Sequence, residues 1–405
     1  MERAAVALRA LPGIEELLPA LGGLPPCYLV GGAVRDLLLG SATVDLDVAV
    51  EGDAEAVALR LAERLGGSVR AHGRFGTATV RAESLSVDLA GTRTETYAAP
   101  GALPDVAPAS LAEDLRRRDF TVNAMAMSLT PAELGTLHDP HGGRADLEDR
   151  RIRVLHAKSF IDDPTRVLRA VRYAVRLGFA LERDTELWLR AAVAGGTLTT
   201  VSGPRIRDEL LDMLAEPDAP DSIEMARELG LGEALQAGLD LDPNLVASAK
   251  LGALETSANP VHTALAALCS GSPRDVEPWL DRLGLTADAR DAVVRAARRA
   301  PALAQDLRHD LQPSAVYALL SPEPPEALAL ALAFGAPAKP VVAFTSSLRG
   351  MRLEITGTDL LAAGLPESPA IGEALEQTLS LKLDGEIAGR EAELQAALRI
   401  AGARP

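Results

Sequence analysis

Two aspartates separated by one residue, Asp45 and Asp47, carry the strongest chemical signal in the chain. They lie in Val44-Asp45-Leu46-Asp47-Val48-Ala49-Val50, where Val44, Leu46, Val48 and Val50 share one strand face and the two acids share the other. Carboxylates at adjacent positions of one strand face are roughly 7 Å apart at Cα and repel unless a cation lies between them. Hard oxygen donors with open positions suit Mg²⁺, which binds readily together with the phosphates of a nucleotide. Leu85-Ser86-Val87-Asp88-Leu89 alternates in the same way, so Asp88 is a candidate third metal-holding acid. A bare D-x-D is commonly only the solvent face of an amphipathic strand; the residues upstream argue for more.

Those residues are Tyr28-Leu29-Val30-Gly31-Gly32-Ala33-Val34-Arg35-Asp36-Leu37-Leu38-Leu39-Gly40, which reads as strand, glycine turn, helix. Gly31 and Gly32 allow a ligand to approach the backbone and aim N–H groups at an anion. The helix starting near Ala33 adds the positive end of its dipole.

Two arginine clusters follow. Asp114-Leu115-Arg116-Arg117-Arg118-Asp119-Phe120-Thr121-Val122-Asn123 sets three cations before an acid, with Asn123 four residues past Asp119, a composition suited to clamping phosphate and ribose. Asp162-Asp163-Pro164-Thr165-Arg166-Val167-Leu168-Arg169-Ala170-Val171-Arg172 reads as an N-cap aspartate, Asp163, with proline at the first helical position. Arg166, Arg169, Arg172 and Arg176 recur at helical spacing as one cationic stripe beside Leu168, Val171, Val175 and Phe179. Between Arg150 and Arg183 nine basic residues face three acidic ones, in a chain whose net charge is −16. So local an excess points to a polyphosphate or RNA-backbone site and excludes a generally cationic nucleic-acid coat. Asp163 accepts and Arg166 donates hydrogen bonds, and the two could meet the Watson–Crick edge of a base.

The elements that must position these residues differ along the chain. Short β-type runs separated by glycines occupy about 27–150: Tyr28 to Val30, Thr43 to Val50, Thr77 to Arg81 and Ser84 to Leu89. Beyond 150 the chain is rich in Ala, Leu, Arg and Glu at helical spacing. Strands gathered in one part and helices in the other give an α+β fold. The stretch Ala98 to Ala109, with three prolines and no periodicity, reads as an exposed mobile loop. Length, 405 residues, exceeds one ordinary domain. Aromatics make up 3%, so the core must be built from Leu, Val and Ala. The two cysteines, Cys27 and Cys269, support neither a disulfide framework nor a cysteine-based zinc cluster. No apolar run is long enough to cross a bilayer, and the stretch containing Glu2, Glu15, Glu16 and two prolines does not read as a signal peptide. The expected setting is cytoplasmic.

Taken in order, Leu29-Val30-Gly31-Gly32-Ala33-Val34-Arg35-Asp36, Asp45-Leu46-Asp47, Arg117-Arg118-Asp119-Phe120-Thr121-Val122-Asn123-Ala124 and Asp163-Pro164-Thr165-Arg166-Val167-Leu168-Arg169-Ala170-Val171-Arg172 resemble the class II tRNA nucleotidyltransferase and bacterial poly(A) polymerase family. The resemblance covers about residues 27–210 closely. It implies a catalytic head with a small mixed β-sheet at 1–150, a helical neck for base recognition at 151–216, a helical body at 217–325 and a helical, tRNA-binding tail at 326–405. It implies that Asp45 and Asp47 hold two Mg²⁺ ions. Gly32 and Arg35, with the neighbouring Gly31, would face nucleotide phosphates. Arg118 would engage triphosphate or ribose, supported by Asp119 and Asn123. Asp163 and Arg166 would read the base, and Arg169 and Arg172 would contact phosphates or brace the site. Two positions depart from the pattern: Asp162 stands where the family often has Glu, and Pro204 stands where a neck motif usually has Glu just before Arg205.

The resemblance implies template-independent addition of C, C and A from CTP and ATP to a tRNA 3′ end. A-adding, CC-adding and poly(A)-forming enzymes share the head motifs, and a non-catalytic nucleotide or RNA sensor would lack the aspartate pair. The stretch Arg93 to Val106 is of full length, which favours an enzyme that switches from C to A. With so few aromatics, bases are expected to stack on arginine planes or aliphatic surfaces and not on a Tyr or Trp platform.

Overall fold

The computed structural model describes residues 2–41, 46–72, 76–83, 85–272 and 276–402. Helices α1 (Glu2–Arg9) and α2 (Ile14–Ala20) precede strand β1 (Cys27–Val30), helix α3 (Gly32–Leu39) and strand β2 (Leu46–Val50). Helix α4 (Ala54–Leu65) leads to β3 (Ser68–His72), β4 (Thr77–Arg81) and β5 (Ser86–Gly91). A separate hairpin of β6 (Arg93–Thr96) and β7 (Asp105–Pro108) is followed by α5 (Leu111–Arg116), β8 (Ala126–Ser128) and β9 (Leu137–His138). The seven-stranded mixed sheet runs β3-β4-β5-β2-β1-β8-β9, with β2 and β5 parallel and the other neighbours antiparallel.

The two faces of this sheet differ, and that difference creates the site. Val48, Val87 and Leu89 are buried on the side where α4 brings Val57, Ala58 and Leu61 against β3–β5. Asp53 caps α4 by accepting from the Ala56 N–H, and Gly66 ends it in the left-handed conformation. On the opposite side Tyr28, Val30, Ala49 and Ala126 pack with Leu111 and Leu115 of α5. Burying each of those leucines stabilises the contact by roughly 1.5–3 kcal/mol. Helix α5 is held by a reciprocal Ser110–Glu113 capping box and by Glu51, which accepts from the Leu111 N–H at 2.9 Å. Asp47 shares this face with Ala49 but lies beyond the cover of α5, so it is exposed.

The hairpin corrects one expectation. The stretch 98–109 is not loop throughout: Asp105–Pro108 pairs with Arg93–Thr96, from Thr96↔Asp105 to Arg93↔Pro108. Its partner strand supplies the order that its own sequence does not signal.

After α6 (Gly143–Glu148) and the short strand β10 (Arg151–Ile152), the chain turns helical: α7 (Ser159–Asp162), α8 (Arg166–Leu177), β11 (Ala180–Leu181), α9 (Arg183–Ala194) and α10 (Gly203–Ala215). Helix α8 begins later than an N-cap at Asp163 would give. Thr165 occupies the cap position without a side-chain bond, and Asp163 instead closes the preceding turn by accepting from the Thr165 N–H and Oγ1 at 3.1 and 2.6 Å.

The chain divides into two compact units, Met1–Glu209 with Leu229–Ala234, and Leu210–Glu228 with Leu235–Pro405. The second is helical among its described residues. Its centre packs Pro243–Thr256 and Ala287–Asp306 on Pro325–Ala333, and Ala249, Ala253, Ala296, Ala327 and Ala329 of these helices are buried. Small side chains allow these helices to approach closely, the packing open to a chain with so few aromatics. Among the described residues no helix is long and apolar enough to cross a membrane.

Candidate active site

Strand β1 leads into Gly31, whose φ of +66° turns the chain directly into α3. A side chain at residue 31 would be strained and would place its Cβ 3.1 Å from Arg118 Nη1. Glycine thus lets the Arg118 guanidinium lie over the turn. Asp114, 1% exposed, holds Arg118 from behind, its Oδ2 accepting from Nη2 at 2.9 Å. Its Oδ1 accepts from Arg117 Nη2 at 2.7 Å. Burial alone would raise the Asp114 pKa; the Arg118 and Arg117 guanidiniums outweigh it and hold the carboxyl below the usual range.

A cavity of about 560 Å³ opens on this turn. Gly31, Gly32 and Asp47 form its sheet end, Arg117, Arg118, Asp119 and Asn123 one wall, Glu95 and Tyr97 the hairpin side. Asp163, Thr165, Arg166, Arg169, Tyr173, Arg205, Asp208 and Glu209 complete it. An adjoining cavity of about 450 Å³ shares Asp47 and Arg118 and adds Thr77, Thr79 and Asp88.

Asp47 and Asp88 face each other in register across the parallel β2–β5 pair, both exposed. Asp88 Oδ1 accepts from Thr79 Oγ1 at 2.5 Å. Asp45 lies outside the described residues. Among the described residues no group of three or more His, Cys, Asp or Glu has a metal-holding arrangement. Asp47 and Asp88 nonetheless form a hard-oxygen donor set on an open face, which fits a divalent cation.

The wall is a network of charges. Asp119, 9% exposed, accepts at Oδ2 from Arg169 Nε and Nη2, at 3.0 and 2.7 Å, and at Oδ1 from the Phe120 N–H and Asn123 Nδ2, at 2.8 and 3.1 Å. Burial would raise its pKa, but Arg169 prevails and holds it below the carboxylate range. Glu209 accepts from Arg169 Nη1 at 2.9 Å and from Arg172 Nη2 at 2.8 Å. Arg205 donates to Asp163 Oδ1 at 2.8 Å and to the Gly101 carbonyl at 3.1 Å. Arg205, which follows Pro204, is thus paired with Asp163. Tyr97 donates to Glu95 Oε2 at 3.0 Å, and burial followed by the Glu95 charge pushes its phenol up.

Several arginines are not placed as a free phosphate-facing stripe. Arg35 is 2% exposed and does not line the cavity; it donates to Asn123 Oδ1 and to Asp36 Oδ1, each at 2.8 Å. Arg172 is 8% exposed and also lies behind the wall. Arg166 reaches the cavity, yet its guanidinium donates inward, to Ser159 Oγ at 2.6 Å and the Arg117 carbonyl at 2.7 Å. Helix α8 is amphipathic as its spacing suggests, but acids from Asp119 and Glu209 meet its cations.

Residues 27–153 match the family described as Poly A polymerase head domain, and 178–241 match the probable RNA and SrmB- binding site of polymerase A. A CC-adding tRNA nucleotidyltransferase of Deinococcus radiodurans is 34% identical over 381 residues, which cover 93% of this chain and 90% of that protein. The chain belongs to the class II tRNA nucleotidyltransferase and bacterial poly(A) polymerase family. Within that family, an A-adding tRNA nucleotidyltransferase of Geobacter sulfurreducens is 37% identical over 398 residues, 93% of this chain and 45% of that relative. The chain spans less than half the length of the A-adding relatives it matches. The solved structure of a CCA-adding enzyme in complex with CTP superimposes with a TM-score of 0.82 at 30% identity, over all of this chain and 98% of the other. The head sheet and helical remainder are therefore those of the nucleotidyltransferase family, whose members generally use a divalent metal.

Some wall residues of this family member carry no strong local signal. Glu95, Tyr97 and Asp208 lie in segments without a distinctive pattern, and Glu209 stands in the neck motif without an evident task. Tyr173 lies inside the arginine helix. Two tyrosines, Tyr97 and Tyr173, thus border the cavity.

Proposed function

We propose that the chain is a template-independent tRNA nucleotidyltransferase that adds C, C and A from CTP and ATP to the tRNA 3′ end. The observation that carries this reading is the single cavity that joins Asp47 and the Gly31–Gly32 turn to Asp163, Arg166 and Arg205. One end suits phosphates; the other presents a carboxylate and guanidiniums suited to a base edge. The CTP-bound neighbour supports the nucleotide assignment.

In this reading the 3′-hydroxyl oxygen of the tRNA forms a bond to the α-phosphorus, the bond to pyrophosphate breaks, and the hydroxyl proton is lost. Asp45 and Asp47, with Asp88 adjacent, would hold Mg²⁺, which when bound lowers the hydroxyl's pKa and stabilises the leaving oxygens. The Gly32 N–H at the start of α3 and Arg118 bind the triphosphate oxygens, the Gly31 N–H being given to the Met125 carbonyl. Asp114 keeps Arg118 aimed over the turn. Asp119 and Asn123 fix the ribose side of the wall, and Asp163, held by Arg205, reads the base with Arg166. The tail 326–405 would hold the tRNA body, after a head at 1–150, neck at 151–216 and body at 217–325. The proposed setting is cytoplasmic, in keeping with a tRNA substrate.

A second reading is addition of A alone, favoured by 37% identity to the A-adding relative against 34% to the CC-adding one over the same share of the chain. Purified protein is incubated with tRNA lacking its 3′ CCA and with tRNA ending in CC, given CTP, ATP or both. Growth by three residues with both nucleotides supports CCA addition, and growth of the CC-ended tRNA alone supports A addition. No extension of either rejects both. Asp47→Ala is expected to abolish extension while preserving the circular dichroism of the native chain; retained activity would refute the metal role.

A further inference from the structure

Tyr173 sits on α8 four residues after Arg169 and one after Arg172, so helix geometry brings it beside the first. Three guanidiniums converge on its ring. The Cζ atoms of Arg35, Arg169 and Arg172 lie 5.3, 5.4 and 5.3 Å from the ring centroid. Phe120 meets the same ring edge-on, with centroids 5.8 Å apart and planes at 73°. The phenolic oxygen is a marginal 3.5 Å from Arg169 Nη2.

The same three arginines are the ends and middle of one polar chain. Arg35 donates to Asn123, Asn123 to Asp119, Arg169 to Asp119 and Glu209, and Arg172 to Glu209. These groups come from α3, α8, α10 and the turn at 119–123, and the three arginines share the aromatic ring as a neighbour. Three cations gathered this closely repel one another. A ring quadrupole attracts cations within about 6 Å of its centroid, so the ring adds to Asp36, Asp119 and Glu209, which pair with these cations, in offsetting that repulsion.

We infer that Tyr173 is a positioning residue: its ring holds Arg35, Arg169 and Arg172 so that Asp119, Asn123 and Glu209 present fixed groups to the nucleotide. The inference deepens the nucleotidyl-transfer reading and rests on it. Its chemical content is that the ring matters and the hydroxyl does not.

The test compares the full-length wild type with Tyr173→Phe, Tyr173→Leu and a chain carrying 3,4,5-trifluorophenylalanine at position 173. The fluorinated ring keeps the shape and weakens the quadrupole, so it separates electrostatics from packing even where the leucine variant folds poorly. CTP affinity is measured by titration calorimetry without tRNA, and KM and kcat with tRNA lacking its 3′ end. The phenylalanine variant is expected within about twofold of wild type, since the bond it loses is weak. The leucine variant is expected to bind CTP about tenfold more weakly, the equivalent of about 1.4 kcal/mol, with KM rising more than kcat falls. The fluorinated variant should fall between them. Equal CTP affinity for the phenylalanine and fluorinated chains would overturn the inference. A wild type that binds CTP but extends no tRNA would instead overturn the transfer reading, while the calorimetry would still decide the role of the ring.

Discussion

Asp119→Asn keeps a side chain's shape and removes the charge on which the cavity wall is centred. Asp119 Oδ2 takes two N–H groups of Arg169, and Oδ1 takes those of Phe120 and Asn123. An amide has one accepting oxygen, so its NH₂ must face either the guanidinium or the Phe120 N–H, donor against donor. Breaking a buried pair costs about 3–5 kcal/mol, and a single bond to a charged group contributes about 1.5–3 kcal/mol. Arg169 keeps Glu209 at 2.9 Å, and its side chain is 28% exposed. The expected loss is therefore about 2–3 kcal/mol at neutral pH. The pH dependence has a definite sign. The folded-state pKa of Asp119 lies below its unfolded value because Arg169 outweighs burial. Its stabilisation is then complete above about pH 4 and is lost as pH falls through the folded value. Urea denaturation between pH 7 and pH 3 reads this out. In a Trp279→Phe background the remaining tryptophan, Trp188, lies in the first compact unit and reports on it. The gap between aspartate and asparagine chains should shrink on the acid side. A gap below about 0.5 kcal/mol at pH 7, or one that stays constant to pH 3, would show that Asp119 does not anchor Arg169.

Arg205→Lys replaces a fork that reaches both Asp163 and the Gly101 carbonyl with a single ammonium; we expect the CTP/ATP preference in kcat/KM to change about tenfold, and an unchanged ratio would reject the link between Arg205 and base choice. Gly101→Ala adds a Cβ at φ +72°, 2.5 Å from Thr200 Oγ1 and 2.7 Å from its carbonyl oxygen. Strain of about 1–3 kcal/mol should speed limited proteolysis within 97–104, and cleavage at the wild-type rate would refute it. In the second unit, the Glu323 side chain is 2% exposed and accepts from Arg295 and Arg299 at 2.7 and 2.9 Å. Because both arginines are substantially exposed, Glu323→Gln should cost only about 1–2 kcal/mol, read from Trp279 fluorescence during denaturation; a gain in stability would contradict the clamp.

The sequence by itself determined the features that depend on a few neighbouring residues. Alternation around Leu46–Val50 and Leu85–Leu89 placed Asp47 and Asp88 on the polar faces of strands, because the side-chain period of a strand is a local property of its backbone. Gly31 before a helical run likewise set the turn, and four motifs in order marked the family. Which distant group each side chain meets was decided only by the tertiary structure. Asp47 lies opposite Asp88 because β2 and β5 pair in parallel, and β7 is a strand because β6 borders it. The spacing of Arg166, Arg169 and Arg172 describes a cationic stripe, yet Arg169 meets Asp119 from 50 residues away and Glu209 from 40. Arg35 turns to Asn123, 88 residues on, and leaves the cavity lining. Helical periodicity fixes the side from which a guanidinium leaves the helix; the acid waiting there is delivered by other elements, and burial then makes pairing with it obligatory.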